Sequence, residues 1–394
     1  MGAPRIFVSA GEASGDLHGA NLVRALRRLA PDAEIAGLGG PRMREAGVRL
    51  LADTSWFGII GVAPILATFG DYLGLLSGAD RFLGAWRPDV AVTIDCPGFH
   101  FLLGSRARAR RVPLLWYIPP QLWAWAPWRV RKLKRRFTRV ACVLPHEEAF
   151  FRQAGVPVTF VGNPVVDHLR QAQLDTAVSA SLRVGAGQRL VALLPGSRRQ
   201  EVPRILTRQL ALARSLEARC GPCRFVLALA EERHRAWAAP ALRGSGVPVR
   251  TFVGHTHEVQ RAADLALVAS GTATLELTCT ETPMIVFYKV TWAQWHLVGR
   301  WLLTTRYLSL PNVLAGREIV PEFIRDVPPT PAMVDAAACL LTDDERRRET
   351  KAALAEVHGR LQRPGAAENT AREVLDMVGT RVAKPPALRP GFAM

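Results

Sequence analysis

Asp95 stands directly after the apolar run Val90–Ile94, in the segment Ile94-Asp-Cys-Pro-Gly-Phe-His100. An acid at the carboxyl end of a buried strand lies where open α/β sheets present groups to their ligands. Within hydrogen-bond reach of an attacking hydroxyl, such a carboxylate can take its proton. An Asp that caps its own loop is the competing reading. His18 and His100 are further candidate site residues, set against the commoner role of a histidine as a hydrogen-bonded structural group.

Three strand-to-helix turns could hold an anion. Ser9-Ala-Gly-Glu-Ala-Ser-Gly-Asp16 offers Gly11, Glu12, Ser14, Gly15 and Asp16, small or polar residues that let a ligand approach the backbone. It lacks the spacing of a dinucleotide fingerprint. Leu194-Pro-Gly-Ser-Arg-Arg-Gln-Glu201 places Gly196, Ser197, Arg198 and Glu201 where backbone donors and a guanidinium would meet a diphosphate. Ala269-Ser-Gly-Thr-Ala-Thr-Leu-Glu276 puts Ser270, Gly271 and Thr272 after a buried strand, as donors to phosphate. Glu276 would accept from ribose hydroxyls, or be an ordinary solvated helix residue. The last two turns in one half of the chain argue together for a nucleotide.

Trp116–Trp128 interleaves Trp123, Trp125 and Trp128 with prolines, and Arg129-Val-Arg131-Lys-Leu-Lys-Arg-Arg136 follows. Aromatics beside cations can stack nucleic-acid bases or sit at a membrane interface; core packing beside a solvated basic helix is the plain alternative. The apolar Trp56–Gly70 segment and the Trp292–Trp301 patch, flanked by Arg300 and Arg306, favour acyl chains or a bilayer surface. Cys220-Gly-Pro-Cys223 has the letters of a redox motif but precedes a strand, whereas that chemistry needs the first Cys at a helix start. No His/Cys set has metal-ligand spacing.

The elements that must position these residues are short apolar runs alternating with helical patterns. Arg5–Ser9, Val90–Ile94, Leu114–Ile118, Arg139–Leu144 and Thr159–Val161 predict one parallel sheet; Arg189–Leu194, Arg224–Leu229, Val249–Phe252, Leu265–Ala269 and Met284–Tyr288 predict a second. The expected architecture is α/β, with two doubly wound, Rossmann-like parallel-sheet domains facing a cleft. The boundaries expected are 1–168, 169–342, a C-terminal helical segment 343–380 and a disordered tail 381–394. The chain has 394 residues, too many for one ordinary domain, and 49% apolar residues leave little room for wholesale disorder. Lys and Arg exceed Asp and Glu by 17, a field that favours phosphorylated ligands, anionic lipid surfaces or polyanions. The scattered cysteines, the absence of a signal-peptide core and the Pro-broken apolar stretches point to a cytoplasmic protein without a spanning helix.

These segments resemble the lipid-A-disaccharide synthase family of GT-B-type glycosyltransferases. The likeness rests on Ala10–Asp16, Gly40-Pro-Arg-Met43, Asp95-Cys-Pro97, Leu122-Trp-Ala-Trp125, Leu144–Phe151, Leu194–Arg198 with Glu201, Ala269–Glu276 and Ser309-Leu-Pro-Asn-Val-Leu-Ala-Gly-Arg-Glu318, in the family's order. It implies transfer of 2,3-diacylglucosamine from UDP to the 6-hydroxyl of 2,3-diacylglucosamine 1-phosphate, with inversion and release of UDP. It implies Asp95 as base, a UDP site that adds Asn312 and Arg317 to the two turns of the second half, an acceptor and membrane side in the first domain, and no cofactor or metal. It further implies peripheral attachment to the inner face of the cytoplasmic membrane and a possible homodimer. The chain departs from the family at Gly98, where a second acid is common, at His100 for Asn, at Pro119 and Gln121 for flanking serines, and at Asn163 for His; residues 58 to 66 also lack an expected acid. A UDP-sugar transferase with another lipid or sugar acceptor is the alternative, and a non-enzymatic binder of anionic membrane or nucleic acid the second.

Overall fold

A computed structural model describes residues 2–55, 57, 62–183, 185, 187–290, 305–325 and 329–379. Trp56, residues 58–61, the Trp292–Trp301 patch and the tail 381–394 lie outside the described residues. The chain divides into two compact units: the described parts of Met1–Leu122, Trp128–Pro164 and Gly365–Met394, and those of Trp123–Pro127 and Val165–Pro364.

The first unit is built on seven parallel strands, β1 (Arg5–Ala10), β2 (Glu34–Gly39), β3 (Arg49–Asp53), β4 (Val90–Ile94), β5 (Leu114–Tyr117), β6 (Arg139–Cys142) and β7 (Val158–Phe160), in the order β3-β2-β1-β4-β5-β6-β7. Its helices are α1 (Glu12–Leu29), α2 (Pro41–Glu45), α3 (Val62–Trp86), α4 (Pro97–Ala109), α5 (Val130–Arg136) and α6 (Pro145–Gln153). Alternate residues of each strand face opposite cores. Ile6, Val8 and Val92 pack with Leu22 and Leu26 of α1; Phe7, Ala91 and Trp116 pack with Phe99, Phe101 and Leu103 of α4. Both faces are therefore covered, and β4 is buried along its whole length.

The segment 343–380, expected as one group of C-terminal helices, is divided between the units: Asp344–Leu361 belongs to the second, whereas the last helix, Ala366–Met377, belongs to the first. Its Ala371, Val374 and Leu375 join the core beside α1. Arg139 of β6 clamps it, with Nη1 2.7 Å from Glu373 and 2.8 Å from Asp376, and Asn369 Nδ2 donates to the Val161 carbonyl at 2.9 Å.

The second unit carries six parallel strands, β8 (Arg189–Leu194), β9 (Cys223–Leu229), β10 (Val249–Val253), β11 (Leu265–Ala269), β12 (Met284–Val290) and β13 (Glu322–Arg325), in the order β10-β9-β8-β11-β12-β13. Its helices begin with α7 (Pro164–Gln171), α8 (Thr176–Ser181), α9 (Glu201–Cys220), α10 (His234–Arg243), α11 (Thr256–Ala262) and α12 (Thr272–Cys279). Val202, Ile205, Leu206 and Leu216 of α9 pack on Val191, Leu193 and Phe225. In each sheet the chain order reverses beside the first strand, between β1 and β4 and between β8 and β11. Ligands of such folds bind outside the carboxyl ends of strands at that reversal.

Candidate functional site

At the first reversal, β1 and β4 pair as Ala10↔Ile94, so the turn after Ala10 and the acid Asp95 leave the sheet side by side. A Cβ on Gly11 would lie 2.8 Å from Cys96 Sγ and 2.9 Å from Phe57, which leaves room only for glycine. Four non-glycine residues at these strand ends adopt left-handed backbone: Glu12 (φ 63°), Asp95 (φ 52°), Cys96 (φ 46°) and Ile118 (φ 55°). Such conformations each cost about 1–3 kcal/mol and persist where surrounding bonds over-determine them. Those bonds are present. The Asp95 amide donates to the Tyr117 carbonyl at 3.2 Å, the Glu12 amide to Thr54 at 3.3 Å, and the Thr54 hydroxyl to the Ala10 carbonyl at 2.6 Å.

Two candidates of this region are structural groups. Asp16 is 3% exposed, and its carboxylate accepts from the amides of Gly40 (2.8 Å), Arg42 (3.0 Å) and Met43 (3.0 Å). It caps α2, which begins at Gly40-Pro41, rather than pointing out of the glycine-rich turn. His100 is fully buried, with Nδ1 2.6 Å from the Asp95 carbonyl oxygen and Nε2 2.9 Å from Ser9 Oγ. Burial pushes its pKa down to about 4, against a smaller upward pull from the Asp95 carbonyl, so the ring is neutral at pH 7. Burial likewise pushes the Cys96 thiol up to about 12, which makes it a packing group. Ser14 is exposed and Glu12 half-buried at the mouth of the turn.

At the second reversal, Leu194 of β8 pairs with Val268 of β11, and the turns that follow meet. Gly196 has φ 98°, and a Cβ there would lie 2.9 Å from Glu201 Oε2 and 3.5 Å from the Ala269 methyl. The Gly196–Glu201 and Ser270–Glu276 turns thus converge within one unit, as their common place in the sheet requires. Ser197, Arg198, Ser270, Gly271 and Thr272 are exposed there. Glu201 opens α9 and meets Arg198 Nη1 through Oε1 at 3.1 Å. Glu276, in the second turn of α12, accepts through Oε2 from Gln260 Nε2 at 2.7 Å. Gln260 is fully buried on α11, so it fixes the carboxylate's direction.

The Ser309–Glu318 segment is shaped by Asn312, which is fully buried. Its Oδ1 accepts from the amides of Ile319 (2.7 Å) and Val320 (3.0 Å), and its Nδ2 donates to the Val320 carbonyl at 2.8 Å. Asn312 therefore folds the loop that carries Arg317, itself exposed and 3.9 Å from Glu356. Glu322 of β13 anchors the start of the same segment: Oε2 accepts from the Ser309 amide at 2.8 Å and from the Tyr288 hydroxyl at 2.9 Å. Burial and the Glu322 charge push the Tyr288 hydroxyl's pKa well up.

The family model described as lipid-A-disaccharide synthetase matches residues 6–375. A relative from Geobacter sulfurreducens named lipid-A-disaccharide synthase is 38% identical over 378 residues, covering 96% of this chain and 98% of the relative. One of the same name from Myxococcus xanthus is 38% identical over 375 residues, 95% of this chain and 98% of that one. The chain belongs to the lipid-A-disaccharide synthase family. Solved structures show the same GT-B fold at low identity. The UDP co-structure of MnaA from S. aureus aligns with a TM-score of 0.66 at 13% identity, covering 98% of this chain and 100% of that one. MurG of Acinetobacter baumannii aligns at 0.59 and 14%, covering 95% and 99%.

Two of the positions expected to depart from the family's pattern belong to the scaffold. His100 is the buried ring described above, and Asn163, 2% exposed, donates through Nδ2 to the Val143 carbonyl at 3.0 Å. Gly98 and Gln121 are exposed, and Pro119 is buried. Cys220 closes α9 and Cys223 opens β9, both as free thiols, so the pair lacks the helix-start geometry of a redox site. Among the described residues no group of His, Cys, Asp or Glu could hold a metal ion, and no helix is long and apolar enough to cross a membrane. Sequence reasoning passed over Ser9, Gln260, Tyr288 and Glu322. Only Ser9 lay in a motif; the others are polar residues in unremarkable helix or strand positions, distant in sequence from the groups they hold.

Proposed function

We propose that this chain transfers 2,3-diacylglucosamine from UDP-2,3-diacylglucosamine to the 6-hydroxyl of 2,3-diacylglucosamine 1-phosphate, forming the β-1,6 disaccharide 1-phosphate and UDP. The observation that carries the assignment is the meeting of the Gly196–Glu201 and Ser270–Glu276 turns at the second unit's strand reversal, in a chain of this family. In this reading Asp95 takes the proton of the 6-hydroxyl as its oxygen attacks the anomeric carbon opposite the diphosphate. The anomeric C–O bond to UDP breaks, and its electron pair leaves on the diphosphate. Backbone amides at the starts of α9 and α12, with the Arg198 guanidinium, hold that charge electrostatically. Glu276, aimed by Gln260, accepts from the ribose. Asn312 shapes the loop beside this site rather than touching the ligand, and Arg317 is that loop's exposed cation.

The experiment is UDP release from the two lipid substrates with wild type and Asp95→Asn. The variant loses about 10²–10⁴-fold in kcat if the carboxylate is the base; unchanged turnover refutes that role.

The basic face of the first unit is the proposed membrane contact. Six cations lie between Arg129 and Arg136. Arg129 and Lys132 sit over the Phe101 ring at 4.9 and 5.5 Å. Burial, then the neighbouring Arg136, Arg129 and Arg135, pushes the Lys132 pKa down, a crowd of like charge that anionic headgroups would relieve. Trp128 (59% exposed) and Leu102 (40%) supply apolar contact on the same unit. Trp123 and Trp125 are half-buried. Salt-sensitive cosedimentation with phosphatidylglycerol vesicles, lost in an Arg131→Glu, Arg135→Glu double variant, tests this face; equal binding by both proteins contradicts it.

A further inference from the structure

We propose that His100 is a positioning residue that holds Asp95 in its working conformation, its tautomer set by the Asp95 carbonyl and its second ring nitrogen held by Ser9; this rests on the reading of Asp95 as the base. A carbonyl oxygen can only accept, so the short 2.6 Å contact between Nδ1 and the Asp95 carbonyl places the ring proton on Nδ1. Nε2 then carries the lone pair, and the Ser9 hydroxyl, 2.9 Å away, donates to it. The order of donors from β1 through α4 to the end of β4 is thereby set by chemistry alone.

The contact falls on backbone that needs holding. Asp95 and Cys96 are consecutive left-handed residues, with φ 52° and 46°. His100 restrains both: its ring bonds the Asp95 carbonyl, and its own amide donates to the Cys96 carbonyl at 3.1 Å. The Tyr117 carbonyl holds the Asp95 amide from the other side. The Phe99 and Trp116 rings, with centroids 5.7 and 6.3 Å from the imidazole, keep water and counter-charges from it. A ring so enclosed does not touch substrate; it acts through the residue it clamps.

The test compares His100→Phe, His100→Asn, Ser9→Ala and Asp95→Asn in steady-state kinetics, with 15N NMR of the histidine ring at neutral pH. Loss of the clamp in His100→Phe lowers kcat about 10²-fold while both KM values stay within about threefold, the signature of a displaced reacting group. His100→Asn, whose amide can donate to the same carbonyl, recovers to within about fivefold of wild type. Wild-type enzyme and Ser9→Ala both show the Nδ1-protonated tautomer, since the Asp95 carbonyl can only accept. The proposal is overturned if His100→Phe keeps wild-type kcat, if Phe and Asn variants that both fold are equally impaired, or if the wild-type ring carries its proton on Nε2. Should His100→Phe not fold, the Asn variant's kcat and the tautomer decide: an Asn variant impaired about 10²-fold, or the Nε2 tautomer, overturns the proposal. Asp95→Asn separates the two readings. Full turnover in that variant removes the base assignment and this inference with it, whereas an inactive Asp95→Asn beside a fully active His100→Phe removes this inference alone.

Discussion

The two sheet reversals are built from the same topology and prepared in opposite ways. Around the ends of β1 and β4 two polar groups are turned inward: Asp16 caps α2 through backbone amides, and His100 is sealed between Ser9 and the Asp95 carbonyl. At the ends of β8 and β11 the polar groups are turned outward, with Ser197, Arg198, Ser270 and Thr272 exposed above glycine turns. The first end stores its precision in internal bonds and left-handed backbone. The second leaves backbone donors and a cation exposed, as the proposed binding of an anion there needs. Substitutions should therefore cost folding stability at the first and ligand affinity at the second.

The largest expected effect is at Asp16. Asp16→Ala strips α2 of a buried charged acceptor for the amides of Gly40, Arg42 and Met43, and should lower unfolding stability by about 4 kcal/mol. A loss of less than about 1 kcal/mol in the unfolding free energy measured with urea would break the comparison. Next comes pH. The His100 ring titrates near 4 when folded and near 6.5 in the unfolded chain, so between those values the unfolded state takes up a proton that the folded state refuses. Stability is then full above about pH 7 and falls by about 3 kcal/mol as pH drops through 4. The fall should be visibly shallower in His100→Asn; the same slope in both proteins would assign it elsewhere, His146, also pushed down to about 4 by burial, being the first candidate. The smallest effect belongs to the second reversal. Arg198, with a side chain 69% exposed, should on truncation to Ala weaken UDP binding about tenfold, measured by calorimetry, with the melting temperature unchanged. A lost melting temperature with intact UDP affinity would reverse the contrast.

How much of this was legible in sequence follows from where the partners lie. Val90–Ile94, Arg189–Leu194 and Leu265–Ala269 are predominantly apolar runs, buried except at Arg189, and they are strands with the bounds expected. β2, Glu-Ile-Ala-Gly-Leu-Gly, was not legible because its glycines weaken the strand pattern. β3 and β13 are short edge strands, and β3 is half-exposed along its length. The acid at 95 and the two turns of the second unit are visible because ligand positions in this topology recur at strand ends. The duties of Asp16 and Glu276 are not, since their partners, the amides of Gly40–Met43 and the amide of Gln260, are placed by the tertiary fold. The last helix shows the same limit: its composition predicts a helix, but its return to β6 depends on Arg139 meeting Glu373 and Asp376.

The most direct measurement is mass spectrometry of the products formed from UDP-2,3-diacylglucosamine in an equimolar mixture of 2,3-diacylglucosamine 1-phosphate, its dephosphorylated analogue and other membrane lipids. The account predicts a single tetraacyl disaccharide 1-phosphate, in stoichiometric amount with UDP. A product on another acceptor, or UDP release with no disaccharide, would contradict it.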